Sequence, residues 1–187
     1  MRKLKLQMHL SVDGYAADKD NKPVFAQFND ELKNHSIANI EQVDCIILGR
    51  KTAVDFIPYW ASVPANHPDY TIARRITEIP KIVFTKTLMN SQWTNTKLAK
   101  GEISEEINQL KKLAGKNIMV YGGCSFVSSL IEEGLVDEYH LLVCPVALGN
   151  GLTIFNALKN ELELRLVNSK SFDDGIMLLQ YEPKYNS

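Results

Sequence analysis

Three short stretches carry the residue types that hold an anion: Gly49-Arg50-Lys51-Thr52, Thr85-Lys86-Thr87 and Gly122-Gly123-Cys124-Ser125. The third is the most informative. The apolar run Asn117–Tyr121 stops at two glycines, and an amphipathic helical pattern starts at once. Glycine lets a ligand come close to the backbone. The first amides of a helix have no internal partner, and the helix dipole adds partial positive charge at the same place. Arg50, Lys51 and Lys86 add fixed cations. All three stretches follow runs that read as parallel strands, and ligands in open α/β sheets bind along the carboxyl ends of strands. Together they predict a groove for a phosphorylated ligand with at least two anionic groups. Singly, each has a plainer reading: Gly-Gly as a tight turn, Arg50-Lys51 as a solvated pair at a helix start, Lys86 as a surface lysine. Cations at a helix start oppose its dipole by about 0.3–1 kcal/mol each, which favours an anionic partner for Arg50 and Lys51.

The elements that must position these stretches alternate along the chain. Leu4–Val12, Val43–Leu48, Lys81–Thr85 and Asn117–Tyr121 are apolar runs of strand length, as expected for strands covered on both faces. Helical patterns fall between them, at Asn29–Ile40, Ser104–Ala114 and Ser125–Glu133. In the second of these, Ile103, Ile107, Leu110 and Ala114 share a face, with Ser104 as the expected cap and Gly115 as the expected stop. Glu133-Gly134 should end the third. The last third of the chain changes character. Val136–Cys144 reads as a long strand, and Leu162–Tyr181 as an antiparallel hairpin turning at Phe172-Asp173-Asp174-Gly175. Tyr59–Thr77, with Pro64 and Pro68, reads as the most loop-like part. The alternation predicts an α/β fold.

Composition sets outer limits. A chain of 187 residues favours a single domain, residues 1–187, with a real core. A net charge of −1 with no basic face argues against nucleic acid or anionic membrane as the main partner. No run approaches the ~20 apolar residues of a membrane span. Cys45, Cys124 and Cys144 form no CxxC pair and lie in or beside apolar runs, as buried free thiols of a reducing cytoplasm do. His9, His35, His67 and His140 have no metal-ligand spacing, so no metal is expected. His9 and His140 fall within strands, where a hydrogen-bonded structural role is expected. Asp137-Glu138 reads as a structural strand start, although a carboxylate pair is the alternative.

The sequence resembles the dihydrofolate-reductase-like family, and within it the reductase domain of bacterial riboflavin synthesis and its stand-alone relatives. The matching stretches are Leu10-Ser11-Val12-Asp13-Gly14-Tyr15-Ala16-Ala17, Leu48-Gly49-Arg50-Lys51-Thr52, Lys81–Leu88, Val120-Tyr121-Gly122-Gly123, Gly134–Tyr139 and Pro145–Gly151. They occur in the expected order and cover nearly the whole chain. The resemblance implies a three-layer α/β fold with a mostly parallel central sheet flanked by helices and an antiparallel C-terminal hairpin. It implies NADPH as cofactor, a small-molecule substrate that accepts hydride, and a homodimer.

The same resemblance implies residue roles. Gly49, Arg50, Lys51 and Thr52 would cap a helix against the pyrophosphate and the adenosine side. Arg50 and Lys86 would face the 2′-phosphate, with Thr85 near the ribose. Gly122 and Gly123 would lie on the pyrophosphate, their bond cis as is common in the family, with Cys124, Ser125, Phe126 and Val127 at the helix start. Ser11 and the Asp13-Gly14-Tyr15 loop would cover the nicotinamide. The candidate catalytic carboxylates are Asp13 and Asp30, the latter beside Glu31 where true dihydrofolate reductases place an acid. Phe25, Phe28, Phe56 and Trp60 would line a substrate pocket or simply fill the core. No zinc-ligand cluster is present for the deaminase that usually accompanies such reductases. The alternative to a reductase is a non-catalytic module on the same fold that binds a nucleotide or phosphorylated metabolite.

Overall fold

Apolar runs alternate with helical stretches to give thirteen elements in a computed structural model that describes residues 1–24 and 29–184. The strands are β1 (Leu4–Ser11), β2 (Val43–Gly49), β3 (Lys81–Phe84), β4 (Thr96–Ala99), β5 (Asn117–Tyr121), β6 (Glu138–Cys144), β7 (Leu164–Ser171) and β8 (Met177–Pro183). The helices are α1 (Asp30–Ile40), α2 (Arg50–Ser62), α3 (Tyr70–Glu78), α4 (Ile103–Lys112) and α5 (Cys124–Glu132). The strands form an eight-stranded mixed sheet, mostly parallel, with an antiparallel hairpin at its C-terminal end. The chain divides into two compact units, Met1–Arg2 with Phe28–Gly123, and Lys3–Gln27 with Cys124–Ser187.

In the first unit the strands run in the order β4-β3-β2-β5, all parallel. The centre of β2, Ile46–Leu48, is fully buried, which explains its unbroken apolar run. Ile46, Leu48, Val83 and Met119 form a core with Ala53 and Ile57 of α2 and Ile72 and Ile76 of α3. Asn29 caps α1 by accepting from the Leu32 amide at 2.8 Å. The buried Lys81 ammonium closes the end of α3, donating to the carbonyls of Thr77 (3.0 Å) and Ile79 (2.8 Å).

The second unit holds β1-β6-β8-β7, with β1 and β6 parallel and the last two pairings antiparallel. Helix α5 buries Val127, Leu130 and Ile131. It stops at Gly134, as expected. Gly134 has φ +65°, and the amides of Gly134 and Leu135 return to the carbonyls of Ile131 and Leu130 at 3.0 Å. That pair of bonds satisfies carbonyls the helix would otherwise leave open. Asp137 and Glu138 are structural. Asp137 exchanges bonds with the Leu4 backbone, and Glu138 pairs with Lys3, Lys5 and His140.

Several sequence expectations are corrected. Tyr59–Thr77 is largely helical: α2 runs on to Ser62 despite Pro58, and α3 covers most of the remainder. Strand β4 was not expected at all. Helix α4 starts one residue early, with no side-chain cap from Ser104, and ends before Ala114. Gly115 does not close it. Its φ of +150° instead lets the backbone pass the Asp44 carboxylate, where a Cβ would collide. Cys45 and Cys144 are buried as expected, and burial pushes both thiols up to about 11; Cys124 is only partly buried.

Candidate functional site

The register of the first unit brings Gly49–Thr52, Thr85-Lys86-Thr87 and Gly122-Gly123 to one rim. Gly49 lies beside Phe84, and Ile47 beside Val120, so the carboxyl ends of β3, β2 and β5 are neighbours. At that rim β2 passes straight into α2. Gly49 is the N-cap, with extended backbone and no side-chain cap, and the first turn of α2 contains no acid. The leading amides of α2 therefore have no partner from a cap, and Arg50, Lys51 and Thr52 surround them. Arg50 and Thr52 are partly buried, and Lys51 is exposed. Opposite them, Gly122 has φ +56° and Gly123 +76°. A Cβ on Gly122 would stand 3.4 Å from the Thr52 methyl, so the β5 turn and the α2 start approach closely. The described residues contain no cis peptide bond, so the Gly122-Gly123 bond is trans, a correction to the expectation from the resemblance.

Thr85 follows β3 and is buried. Its hydroxyl accepts from the amides of Thr87 and Leu88, both at 3.1 Å, and so shapes the turn that presents the exposed Lys86. Gly49–Thr52, Thr85, Lys86, Gly122 and Gly123 thus share one edge of the first unit. Rim cations and partnerless helix amides suit a polyanion, and a backbone stripped of Cβ suits close approach.

The other expected residues are placed as follows. In the second unit, Ser125 is exposed at the start of α5, Phe126 is partly buried and Val127 is buried. The Cys124 thiol lies 3.9 Å from the Leu152 carbonyl, and burial raises its pKa. Ser11 is buried, and its hydroxyl accepts from the Tyr15 amide at 2.9 Å. Asp13 is exposed and ties its loop to the turn at Leu148-Gly149, accepting from those amides at 3.1 and 2.7 Å. The Ser11 hydroxyl and then the two amides hold the Asp13 carboxyl down to about 2, so it is ionised at neutral pH and ill-suited to give a proton. Gly151 is required in the same place, because a Cβ there would strike the Ala17 carbonyl. Asp30 stands in solvent on the first turn of α1, its side chain 99% exposed, with Lys33 at 3.7 Å. Neither carboxylate occupies an enclosed acid position.

Phe25 and Phe28 lie outside the described residues. Phe56 and Trp60 pack on the core of the first unit, with their rings edge-on at 6.1 Å. Tyr121, the residue before Gly122, has no role expected from the sequence. Its ring stacks on Phe56 at 5.4 Å and 25°, and burial raises its phenol pKa beyond the usual range. A tyrosine directly before a Gly-Gly turn was the available signal.

The chain is similar to several known proteins. It is 30% identical over 183 residues to the uncharacterized protein YyaP of Bacillus subtilis (strain 168), covering 96% of this chain and 94% of that one. In fold it is similar to the deaminase/5-amino-6-(5-phosphoribosylamino)uracil reductase of Thermotoga maritima (TM-score 0.70, 17% identity), covering 98% of this chain and 57% of that one. It is also similar to a dihydrofolate reductase of Enterococcus faecalis complexed with NADP(H) (TM-score 0.63, 13% identity), covering 98% and 97%. With a family model of the RibD C-terminal domain matching residues 2–178, the chain belongs to the RibD C-terminal domain family.

Proposed function

We propose that the chain is an NADPH-dependent reductase that passes hydride to a small heterocyclic or carbonyl-containing molecule, pterin-like or like a riboflavin precursor. One observation carries the reading: Gly49–Thr52, Thr85-Lys86 and Gly122-Gly123 meet at the ends of three neighbouring strands. That set fits a phosphorylated dinucleotide. The α2 amides and the close-set Gly122 would take the pyrophosphate, and Arg50 and Lys86 would take a 2′-phosphate, since both stay cationic at neutral pH. When bound, NADPH supplies the hydride, and the protein's part is binding, orientation and exclusion of water. The T. maritima protein is described as a reductase and the E. faecalis one as holding NADP(H), which supports both parts of the reading.

Titration with NADPH, followed by the fluorescence of Trp60 and Trp93 and by thermal unfolding, tests it. At a hundredfold excess over Kd the expected stabilisation is about 2.7 kcal/mol, a rise of roughly 5–10 °C for a chain of this size. No response in either measurement sinks the reading. A non-catalytic binding module is the second reading, favoured by the ionised Asp13 and the solvated Asp30. It predicts NADPH binding without oxidation on any pterin, pyrimidine or flavin precursor.

The proposal extends to one reductase domain spanning both units, acting in the cytoplasm as a homodimer. Among the described residues no helix is long and apolar enough to cross a membrane. The register of the hairpin puts Val143, Met177, Leu179, Tyr181 and Leu166 on one sheet face. Leu166 is 51% and Met177 38% exposed, an open apolar face suited to a second copy. Sedimentation should show a dimer at micromolar concentration, and Leu166→Lys with Met177→Lys should give a monomer. A monomeric unaltered protein removes the dimer.

A further inference from the structure

Tyr121 is built unlike the residues around it. It ends β5, one position before the Gly122 turn, and its side chain is directed at α2. Thr52, Phe56 and Trp60 recur at four-residue spacing along α2 and so form one stripe of that helix. The Thr52 methyl meets Gly122, Phe56 stacks on the Tyr121 ring, and Trp60 meets Phe56 edge-on. The ring of Tyr121 is thereby fixed in an aromatic wall directly beneath the polar rim. Its hydroxyl makes no hydrogen bond with any described residue. A packed tyrosine normally finds a partner for its hydroxyl, and the residue retains partial solvent access. Burial keeps the phenol protonated across the neutral range, so it stands as a fixed, neutral donor.

The chemistry of that donor differs from the rim above it. Arg50 and Lys86 suit phosphate. A neutral hydroxyl at the edge of an apolar aromatic wall suits a neutral planar ring that carries a hydrogen-bond acceptor. We propose that Tyr121 is a specificity-determining residue of the reductase, donating to a ring carbonyl or ring nitrogen of the heterocycle to be reduced. This rests on the reductase reading above and names the ring contact within it. Its rigid stacking on Phe56 means little side-chain freedom is lost when the bond forms. A site that offers one such group discriminates against rings lacking the acceptor, because the hydroxyl is then left unpaired under the ligand.

The test compares the full-length protein with Tyr121→Phe, using NADPH, 6,7-dimethylpterin and 5,6-diaminouracil as probes. Without ligand, Tyr121→Phe should unfold at the same temperature or higher, because its hydroxyl holds no protein group in place. NADPH affinity should be unchanged. With NADPH saturating, at least one of the two rings should bind the unaltered protein, and the variant should bind it roughly 5–10-fold more weakly, the size of one ordinary hydrogen bond. A lowered unfolding temperature in the ligand-free variant means a structural partner for the hydroxyl and overturns the assignment. So do equal ring affinities in the two proteins, or no binding of either ring to the unaltered protein. If the unaltered protein fails to bind NADPH, the reductase reading falls and this one with it. If NADPH binds and the variant's ring affinity does not change, only the Tyr121 assignment falls.

Discussion

Replacing Arg50 and Lys86 together by alanine is expected to erase the preference for NADPH over NADH. Arg50 opens α2 at the end of β2, and Lys86 is presented by the Thr85 turn at the end of β3, the strand hydrogen-bonded to β2. The 2′-phosphate is the feature that separates the two cofactors, and it brings close to two negative charges. A hydrogen bond to a charged group contributes about 1.5–3 kcal/mol, roughly 10- to 100-fold in affinity for a well-placed contact. Solvent and salt screen the exposed Lys86, so Arg50, partly buried, carries the larger share. The double variant should lose roughly 100- to 1000-fold in NADPH affinity, and most of that loss should already be present in Arg50→Ala. NADH affinity should change little, because on the proposed binding mode the pyrophosphate rests on α2 amides and the Gly122 turn rather than on these side chains. Dissociation constants for both cofactors, measured at low and high salt, give the answer. A preference that survives in the double variant removes Arg50 and Lys86 from the cofactor site.

Those residues stand out in the sequence because their signal is local. A glycine that ends an apolar run, a cation directly after it and a helical pattern beyond need no knowledge of distant contacts. The same holds for the α5 stop at Gly134, where one glycine fixes two carbonyl bonds. What failed was structure imposed from outside the segment. Strand β4, Thr96–Ala99, offers only Leu98 and Ala99 as apolar residues, and it is a strand because Lys81–Phe84 pairs with it. Helix α3 did show its pattern, with Ile72, Ala73 and Ile76 on one buried face. The prolines before it, Pro64 and Pro68, give the segment the composition of a loop, yet both lie outside the helix and do not interrupt it. Pro58 does lie within α2. It removes one amide from the hydrogen-bond ladder, but Ala53 and Ile57 are buried in the core and hold the helix across it.

The site divides along the same line. Asp13 looks free in sequence, but its carboxylate is held by amides 135 and 136 positions away, at Leu148 and Gly149. No local pattern announces that capture, and it changes Asp13 from a candidate acid into an anchored anion. Tyr121 is the converse. As the last residue of an apolar strand it reads as core, and only the fold reveals that its ring is packed while its hydroxyl lacks a partner among the described residues. Positions set by backbone conformation and fixed charge are therefore readable from sequence. Those whose role depends on what surrounds a side chain are not.

Replacing Glu138 by glutamine is expected to destabilise the protein by about 3 kcal/mol, the low end for removing one partner of a buried ion pair. Glu138 is the hub of a polar chain that crosses the second unit. Its two oxygens take Lys3 at 2.7 Å, Lys5 at 3.1 Å and His140 at 3.3 Å. His140 meets Gln180 at 3.2 Å, and Gln180 accepts from Asn168 at 2.8 Å, so the chain reaches from β1 to β7. The Lys5 side chain is only 8% exposed, whereas Glu138 is 19% exposed, so the cost falls mainly on a buried ammonium that loses its countercharge. The pH dependence separates this electrostatic cost from mere loss of packing. The His140 hydrogen bond, then Lys3 and Lys5, hold the Glu138 carboxyl well below the usual carboxylate range despite its partial burial. A depressed folded-state pKa means that in acid the unfolded chain binds more protons than the folded one. The stabilisation is therefore fully present above the unfolded carboxyl pKa of about 4.3, and it is lost progressively as pH falls below that. Urea unfolding at pH 7 should show the full difference between the unaltered protein and Glu138→Gln. From pH 4 downward the difference should shrink progressively and close only where the carboxyl of the folded protein is itself protonated, because protonation does to Glu138 what the substitution does. A difference that stays constant from pH 7 into acid would mean that the carboxylate's charge is not what holds β1 to β6.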